Sequence, residues 1–250
     1  MAAFALLLAA SAVRAASLNL CSDEYLLLLA RPNEVVSVTR LAQDPEESVL
    51  ASQAQRVNGN RGRLEDVIDE RPTVVLTMGG GGRSSGAIAR KLRLQVVDLP
   101  QPASLVDVSA NLRRVASALG DRHRADAFIE RITRLKDTRP AQQREALWLG
   151  GGGLSLAPGS IGAQWLELAG LRQRSLPGGH ATLETLITNP PAVLVTSNYR
   201  AGQMSQGQRW LKHPLLAHLP SRRLPTDGRR WTCAGPLMVG EVERLRRMAK

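Results

Sequence analysis

The chain has 250 residues, 43% of them hydrophobic, enough for one large core or two of about 110 to 120 residues each. Its formal net charge is +11, and of its 33 basic residues only Lys91, Lys136, Lys212 and Lys250 are lysines. A GC-rich genome produces that skew as readily as selection for phosphate contacts. Aromatic residues are only 3%, which argues against a nucleic-acid groove built on stacked bases and leaves a cleft for a small anion, or a solvated surface, as uses of the charge.

Residues 1–15 are almost wholly apolar and end in Val13-Arg14-Ala15, small residues at the −3 and −1 positions of an export cleavage site. No Lys or Arg precedes the apolar run, so either the start codon is set too late or the segment is not a leader. No later segment reaches the roughly 18 to 20 uninterrupted apolar residues needed to cross a bilayer, so the mature protein is expected to be soluble and periplasmic. Leu18-Asn19-Leu20-Cys21 imitates a lipoprotein box, but a bulky Leu precedes the cysteine.

In the first half, strands are expected at 16–20, 35–39, 74–78 and 96–99, and helices at 23–30, 64–71 and 85–92. Strand and helix alternate, the pattern of a parallel sheet covered by helices. Ser104 can cap a helix running to Leu119, with Val108, Leu112 and Val115 on its buried face and Gly120 closing it. Residues 121–139 continue helically through Ala125, Phe128, Ile129, Ile132 and Leu135 until Pro140. This amphipathic helix is the natural connector between 16–120 and 140–250. In the second half strands are expected at 146–149, 193–196 and weakly at 224–225, with helices at 161–169, 183–188, 210–218 and 236–249.

The two halves repeat one another. At an offset of 119 residues, Leu64, Glu65, Ile68, Pro72, Val74 and Thr77 coincide with Leu183, Glu184, Ile187, Pro191, Val193 and Thr196. Each copy reads as a short helix stopped by proline and followed by a buried strand, so the chain is expected to be two related α/β lobes.

Gly79 to Gly82 follow the third strand of the first half, and Gly150 to Gly153 follow the first strand of the second. Open parallel sheets take ligands at the carboxyl ends of their strands, where glycine lets the backbone approach; flexible turns are the plainer reading. Neither run completes a phosphate loop, since Gly82 leads to Arg83-Ser84 and Gly153 to Leu154-Ser155. Gly153-Leu154-Ser155-Leu156-Ala157 imitates a nucleophile elbow, but no Asp lies between Ser155 and His218, so no hydrolase triad assembles. His123, His180, His213 and His218 lack zinc spacing; only His180, in a glycine-bounded loop, is placed to touch a ligand. Cys21 and Cys233 are the only cysteines. In an exported chain they are expected to pair, with two free thiols at the ligand site as the alternative.

Ser17-Leu18-Asn19-Leu20-Cys21-Ser22-Asp23-Glu24, the unit from Arg63-Leu64-Glu65 to Arg71-Pro72-Thr73-Val74-Val75-Leu76, the connecting helix and Trp231-Thr232-Cys233-Ala234-Gly235-Pro236 resemble the helical-backbone (class III) periplasmic binding proteins. These serve ABC importers of iron siderophores, haem and cobalamin. The resemblance implies two Rossmann-like lobes with parallel sheets joined by one long helix, a ligand cleft between them, a monomer without catalysis or cofactor, and delivery to a dimeric permease. It also implies that Glu65 and Glu184 meet cationic sockets on the two permease subunits, although an acid in a helix's first turn is favoured by the macrodipole anyway. For the ligand, Cys21, Arg40, Met78, Gly79, Gly80, Arg83, Gly151, Leu156, His180, Tyr199, Arg200, Arg230 and Trp231 are the candidate cleft residues, with Leu41, Trp210 and Arg229 beside them. The arginines favour an anionic iron chelate of the siderophore type; a corrinoid is the alternative, and an exported α/β hydrolase-like enzyme the rival from another class.

Overall fold

A computed structural model describes residues 13–81, 86–200, 202–203 and 205–249. The expected leader, apart from residues 13–15, and the candidate Arg83 lie outside these. The first lobe contains β1 (Ala15–Ser17), α1 (Leu20–Leu29), β2 (Val35–Thr39), α2 (Arg40–Gln43), α3 (Ala51–Ala54), β3 (Asn58–Asn60), β4 (Val74–Met78), α4 (Gly86–Lys91), β5 (Gln95–Leu99) and α5 (Leu105–Ala118). The connector is a 3-10 turn, Arg122–Ala125, running into α6 (Asp126–Asp137). The second lobe contains β6 (Arg144–Leu149), α7 (Ile161–Leu168), β7 (Leu171–Gln173), α8 (Leu183–Thr188), β8 (Val193–Ser197), α9 (Gln206–Leu211), α10 (Pro214–Ala217), β9 (Arg222–Thr226), α11 (Gly228–Cys233) and α12 (Met238–Ala249).

The sheets run in the orders β3-β2-β1-β4-β5 and β7-β6-β8-β9, and every pairing is parallel. Both are buried on two faces, as parallel sheets require. Val74, Leu76 and Met78 of β4 enter a central apolar cluster, while Val75 points to an outer one with Ala16, Leu64 and Val67. Val193 and Val195 of β8 share the same central cluster, and Leu194 faces an outer one with Leu147 and Leu186. One core thus runs through the junction of the lobes. The connector is fastened to each side: the Arg124 guanidinium donates to Glu34 Oε1 at 2.8 Å, and Arg131 Nη2 to Glu243 Oε2 on α12 at 2.7 Å.

Three expected elements differ. The strand placed at 16–20 covers Ala15–Ser17, because Asn19 turns the chain and caps α1 by accepting from the Cys21 N–H at 2.9 Å. A leader boundary after Ala15 therefore falls inside β1. The helix at 64–71 is two 3-10 turns, Leu64–Asp66 and Ile68–Glu70, broken at Val67 and closed by a left-handed Arg71 (φ 47). The helix at 210–218 is split into α9 and α10, since Pro214 cannot supply an N–H to the preceding turn and His213 starts a new cap.

Candidate functional site

The carboxyl ends of the two sheets face one another. From the first lobe come the segments after β1 and β2; from the second come those after β6, β8 and β9. Contacts across this junction are specific. Glu47, after α2, accepts from the Tyr199 hydroxyl and forms an ion pair with Arg200, both after β8. Arg229 Nη1 on α11 donates to Pro45 O at 2.5 Å. The Leu237 N–H donates to Glu24 Oε1 on α1 at 2.8 Å. A disulfide between Cys21 on α1 and Cys233 on α11, 212 residues apart in sequence, fastens the lobes covalently.

A hollow of about 300 Å³ opens on the second lobe's side, walled by Trp148, Tyr199 and Trp231, floored by Gly150 and Gly151, and rimmed by Arg200, Gln203, Ser205 and Gln208. The Trp148 and Trp231 rings are tilted at 49° with centroids 5.7 Å apart, and Arg200 stands 5.4 Å from the Tyr199 ring centre. Trp231 Nε1 donates to Thr226 Oγ1 at 2.7 Å, whereas buried Trp148 Nε1 has no partner among the described residues. Gly228 lets α11 come this close: a Cβ there would lie 2.2 Å from Ser197 Oγ and 2.3 Å from Tyr199 Cβ.

A second hollow of about 630 Å³ adjoins the first through Arg200 and is lined by Glu46, Asp227, Arg229, Arg230, Glu241 and Arg244. Its arginines are largely spent. Arg229 Nη2 meets Asp227 Oδ2 at 2.7 Å, and Arg244 Nη2 meets Glu241 Oε1 at 2.6 Å. Burial would raise the Asp227 carboxyl, but the Arg229 guanidinium outweighs it and holds the group below the usual carboxylate range. At the lobe junction burial dominates instead: it pushes Glu24 up to about 7 despite the Leu237 N–H and the Arg230 charge, and Asp23 up to about 7 despite the Thr39 hydroxyl.

Of the sequence candidates, Gly151, Tyr199, Arg200 and Trp231 line the aromatic hollow and Arg230 its neighbour. Cys21 is a disulfide half on a helix, not a residue after a strand. Met78 belongs to the core, and Leu156 packs against it with its methyls on Gly162. Gly79 and Gly80 make a positive-φ turn after β4 outside both hollows, with Gly80 N donating to Asp98 Oδ1 at 3.2 Å. His180 is exposed and bridges to Leu154 through its backbone. Arg40 and Leu41 are exposed beyond β2 and line neither hollow; Trp210 packs behind Gly153. Ser155, the elbow candidate, donates to Trp148 O at 2.6 Å and accepts from Gln173 Nε2 at 2.9 Å, so its hydroxyl is engaged in structural hydrogen bonds.

Sequence reasoning missed Trp148, Gln203, Gln208 and the acidic arm that carries Glu47. Trp148 alone carried a signal, since it is a ring at a strand's carboxyl end just ahead of a glycine run.

Glu65 and Glu184 stand at matching places. Each begins the segment that leads from the carboxyl side of its sheet into β4 or β8, and each is exposed beside a buried partner at the matching position, Val67 and Leu186 respectively. Neither carboxylate enters an ion pair among the described residues.

No family model matches the chain, and comparison with curated proteins gives no match. Solved structures do match. The periplasmic haem-binding protein HutB of Vibrio cholerae is 16% identical with a TM-score of 0.74, over 96% of this chain and 99% of that one. The periplasmic haem-binding protein RhuT from Roseiflexus sp. RS-1, in apo form, is 20% identical at 0.69, over 96% and 100%. The periplasmic vitamin B12-binding protein BtuF of Vibrio cholerae is 15% identical at 0.62, over 94% and 95%. With two parallel-sheet lobes, a helical connector and matches that run nearly end to end, this chain has the fold of the class III periplasmic binding proteins.

Proposed function

We propose that this chain is the exported solute-binding component of an ABC importer, which holds a metal-bearing macrocycle of the haem or corrinoid type between its lobes and delivers it to a dimeric permease. The aromatic hollow carries this reading. Two indoles and a phenol at the junction offer flat apolar faces to a conjugated ring, while Gln203, Ser205 and Gln208 supply edge donors and acceptors. Binding proteins of the same fold take haem and vitamin B12. A ferric siderophore is the second reading, favoured by the arginine-lined hollow. It ranks lower because Arg200, Arg229 and Arg244 already answer Glu47, Asp227 and Glu241, leaving little uncompensated positive charge for an anionic chelate.

The proposed role is binding, the role named for the solved structures of this fold, and the elbow candidate Ser155 is engaged in structural hydrogen bonds. Glu65 and Glu184, one exposed carboxylate per lobe, suit a partner that carries the same cationic site twice. Titration of the purified protein with haemin, cyanocobalamin and a ferric hydroxamate, followed by tryptophan fluorescence, tests the reading. A macrocycle should quench at micromolar concentration or below; saturable binding of the hydroxamate alone would transfer the assignment, and no binding by any of the three would overturn it.

A further inference from the structure

The structure assigns the export-processing site to the bond between Ala12 and Val13, three residues ahead of the Ala15–Ala16 bond. The assignment rests on the export reading above. A leader peptidase needs small residues at −3 and −1, and both Ala10-Ser11-Ala12 and Val13-Arg14-Ala15 satisfy it. Sequence pattern alone leaves the two bonds in competition; the fold separates their products.

Residues 13–15 belong to the folded domain. Ala15 is fully buried as the first residue of β1, the central strand of its sheet, paired with Val35 on one side and Val74 on the other. Arg14 stitches that strand to the chain entering β4. Its N–H donates to Thr73 Oγ1 at 3.0 Å, and its carbonyl accepts from the N–H groups of Thr73 at 2.7 Å and Val74 at 3.1 Å. Its guanidinium reaches the carbonyls of Glu70 at 2.6 Å and Arg71 at 3.3 Å. Val13 packs against the central core.

Cleavage after Ala15 would remove all of these and leave the new α-ammonium on Ala16, which has no exposed surface. The central strand would then begin at its own charged terminus, without the Ala15 pairings and the Arg14 hydrogen bonds that hold its entry into the sheet. Cleavage after Ala12 keeps β1 whole and puts the amine two residues ahead of the strand. The alanines at 10 and 12 also fit the peptidase's small-residue requirement better than a β-branched Val at −3.

The chain should be expressed with its own leader in a Gram-negative host, recovered from the periplasmic fraction and read by intact mass and N-terminal sequencing. A first residue of Val13 is expected, and Ala12→Leu should abolish that product. A periplasmic chain beginning at Ala16, or at any other residue, overturns the site and leaves export standing; an unprocessed chain retained in the cytoplasm overturns both. A second measurement stands apart from secretion. Chains made directly from Val13 and from Ala16 should differ, the shorter melting several degrees lower, and equal melting temperatures would remove the physical ground for the assignment.

Discussion

The two lobes repeat a frame but not a site. Read from β2 and from β7, the sheets share one order, β2-β1-β4-β5 against β7-β6-β8-β9, and the first lobe only adds β3 at its edge. β4 and β8 keep both the topological place and the offset of 119 residues, and each is preceded by the Leu-Glu unit. The unit itself folds differently: two 3-10 turns without a side-chain cap in the first lobe, an α-helix with a Thr182–Thr185 capping box in the second. What survives is the placement of an exposed glutamate over a buried anchor, Val67 in one copy and Leu186 in the other. The aromatic hollow, by contrast, draws its rings from the second lobe alone. The repeat thus keeps one exposed glutamate per lobe, while the clustered rings belong to one lobe only.

The largest effect should come from the conserved feature. Glu65→Ala combined with Glu184→Ala is expected to abolish cargo uptake by cells carrying the importer while leaving affinity for the cargo within about twofold. The single variants sharpen the comparison: equivalent docking requires equal losses, and unchanged uptake in the double variant would break it.

Next is the covalent link between the lobes. Cys21→Ser with Cys233→Ser should lower stability by about 2 to 5 kcal/mol, read from urea unfolding. Trp231 lies two residues before Cys233 on α11, so cargo affinity should fall in the same variant. An unaltered urea midpoint would show that the noncovalent contacts of Glu24 and Glu47 already fix the lobes.

Much of this architecture could be read from the residues. β2 and β4 fall where β-branched runs place them, α8 falls where apolar residues at helical spacing run up to a proline, and Pro140 ends the connector. The disulfide was legible because an exported chain with only two cysteines has one pairing. The cleft was less so. Trp231 and Tyr199 sit in segments whose glycines and polar residues suggested loops at strand ends, but Trp148 lies inside a strand, where a ring reads as core. Met78 and Leu156 show the converse, since apolar residues at strand ends point inward as readily as into a cleft. The β3 strand, Asn58-Gly59-Asn60, has no apolar residue at all; its place is secured by Asn60 Nδ2 donating to Ser17 O and Ser37 Oγ, each at 2.9 Å.

The lobes also differ in how they hold a buried carboxyl. Glu241 of the second lobe, 2% exposed, is met by Arg244, whereas Glu24 of the first, 5% exposed, is met at hydrogen-bond distance, among the described residues, by a backbone N–H alone. Burial raises Glu24 from 4.5 to about 7. With the folded value above the unfolded one, its contribution to stability is fully present below about pH 4.5 and is lost as pH rises through about 7. Glu24→Gln keeps the oxygen that accepts from Leu237 and removes the titration. The variant's stability relative to the native chain should therefore rise between pH 4.5 and 7, and a difference constant with pH would show that Glu24 ionises freely at the junction.

The smallest effect tests the repeat unit itself. Thr182 accepts from the Thr185 N–H at 3.1 Å, and Thr185 Oγ1 accepts in turn from the Thr182 N–H at 3.1 Å, so two otherwise unpaired donors of α8 are satisfied. Arg63, the corresponding residue ahead of Leu64, makes no such bond. Thr182→Ala should cost about 1 kcal/mol and Arg63→Ala close to nothing, both measured by thermal or urea unfolding. If the costs match, the capping box does not hold the second copy as an α-helix, and the difference between the copies must come from the chain that follows. There, Asn189 and Pro190 leave α8 without positive φ, whereas Arg71 needs the left-handed region to reach Pro72.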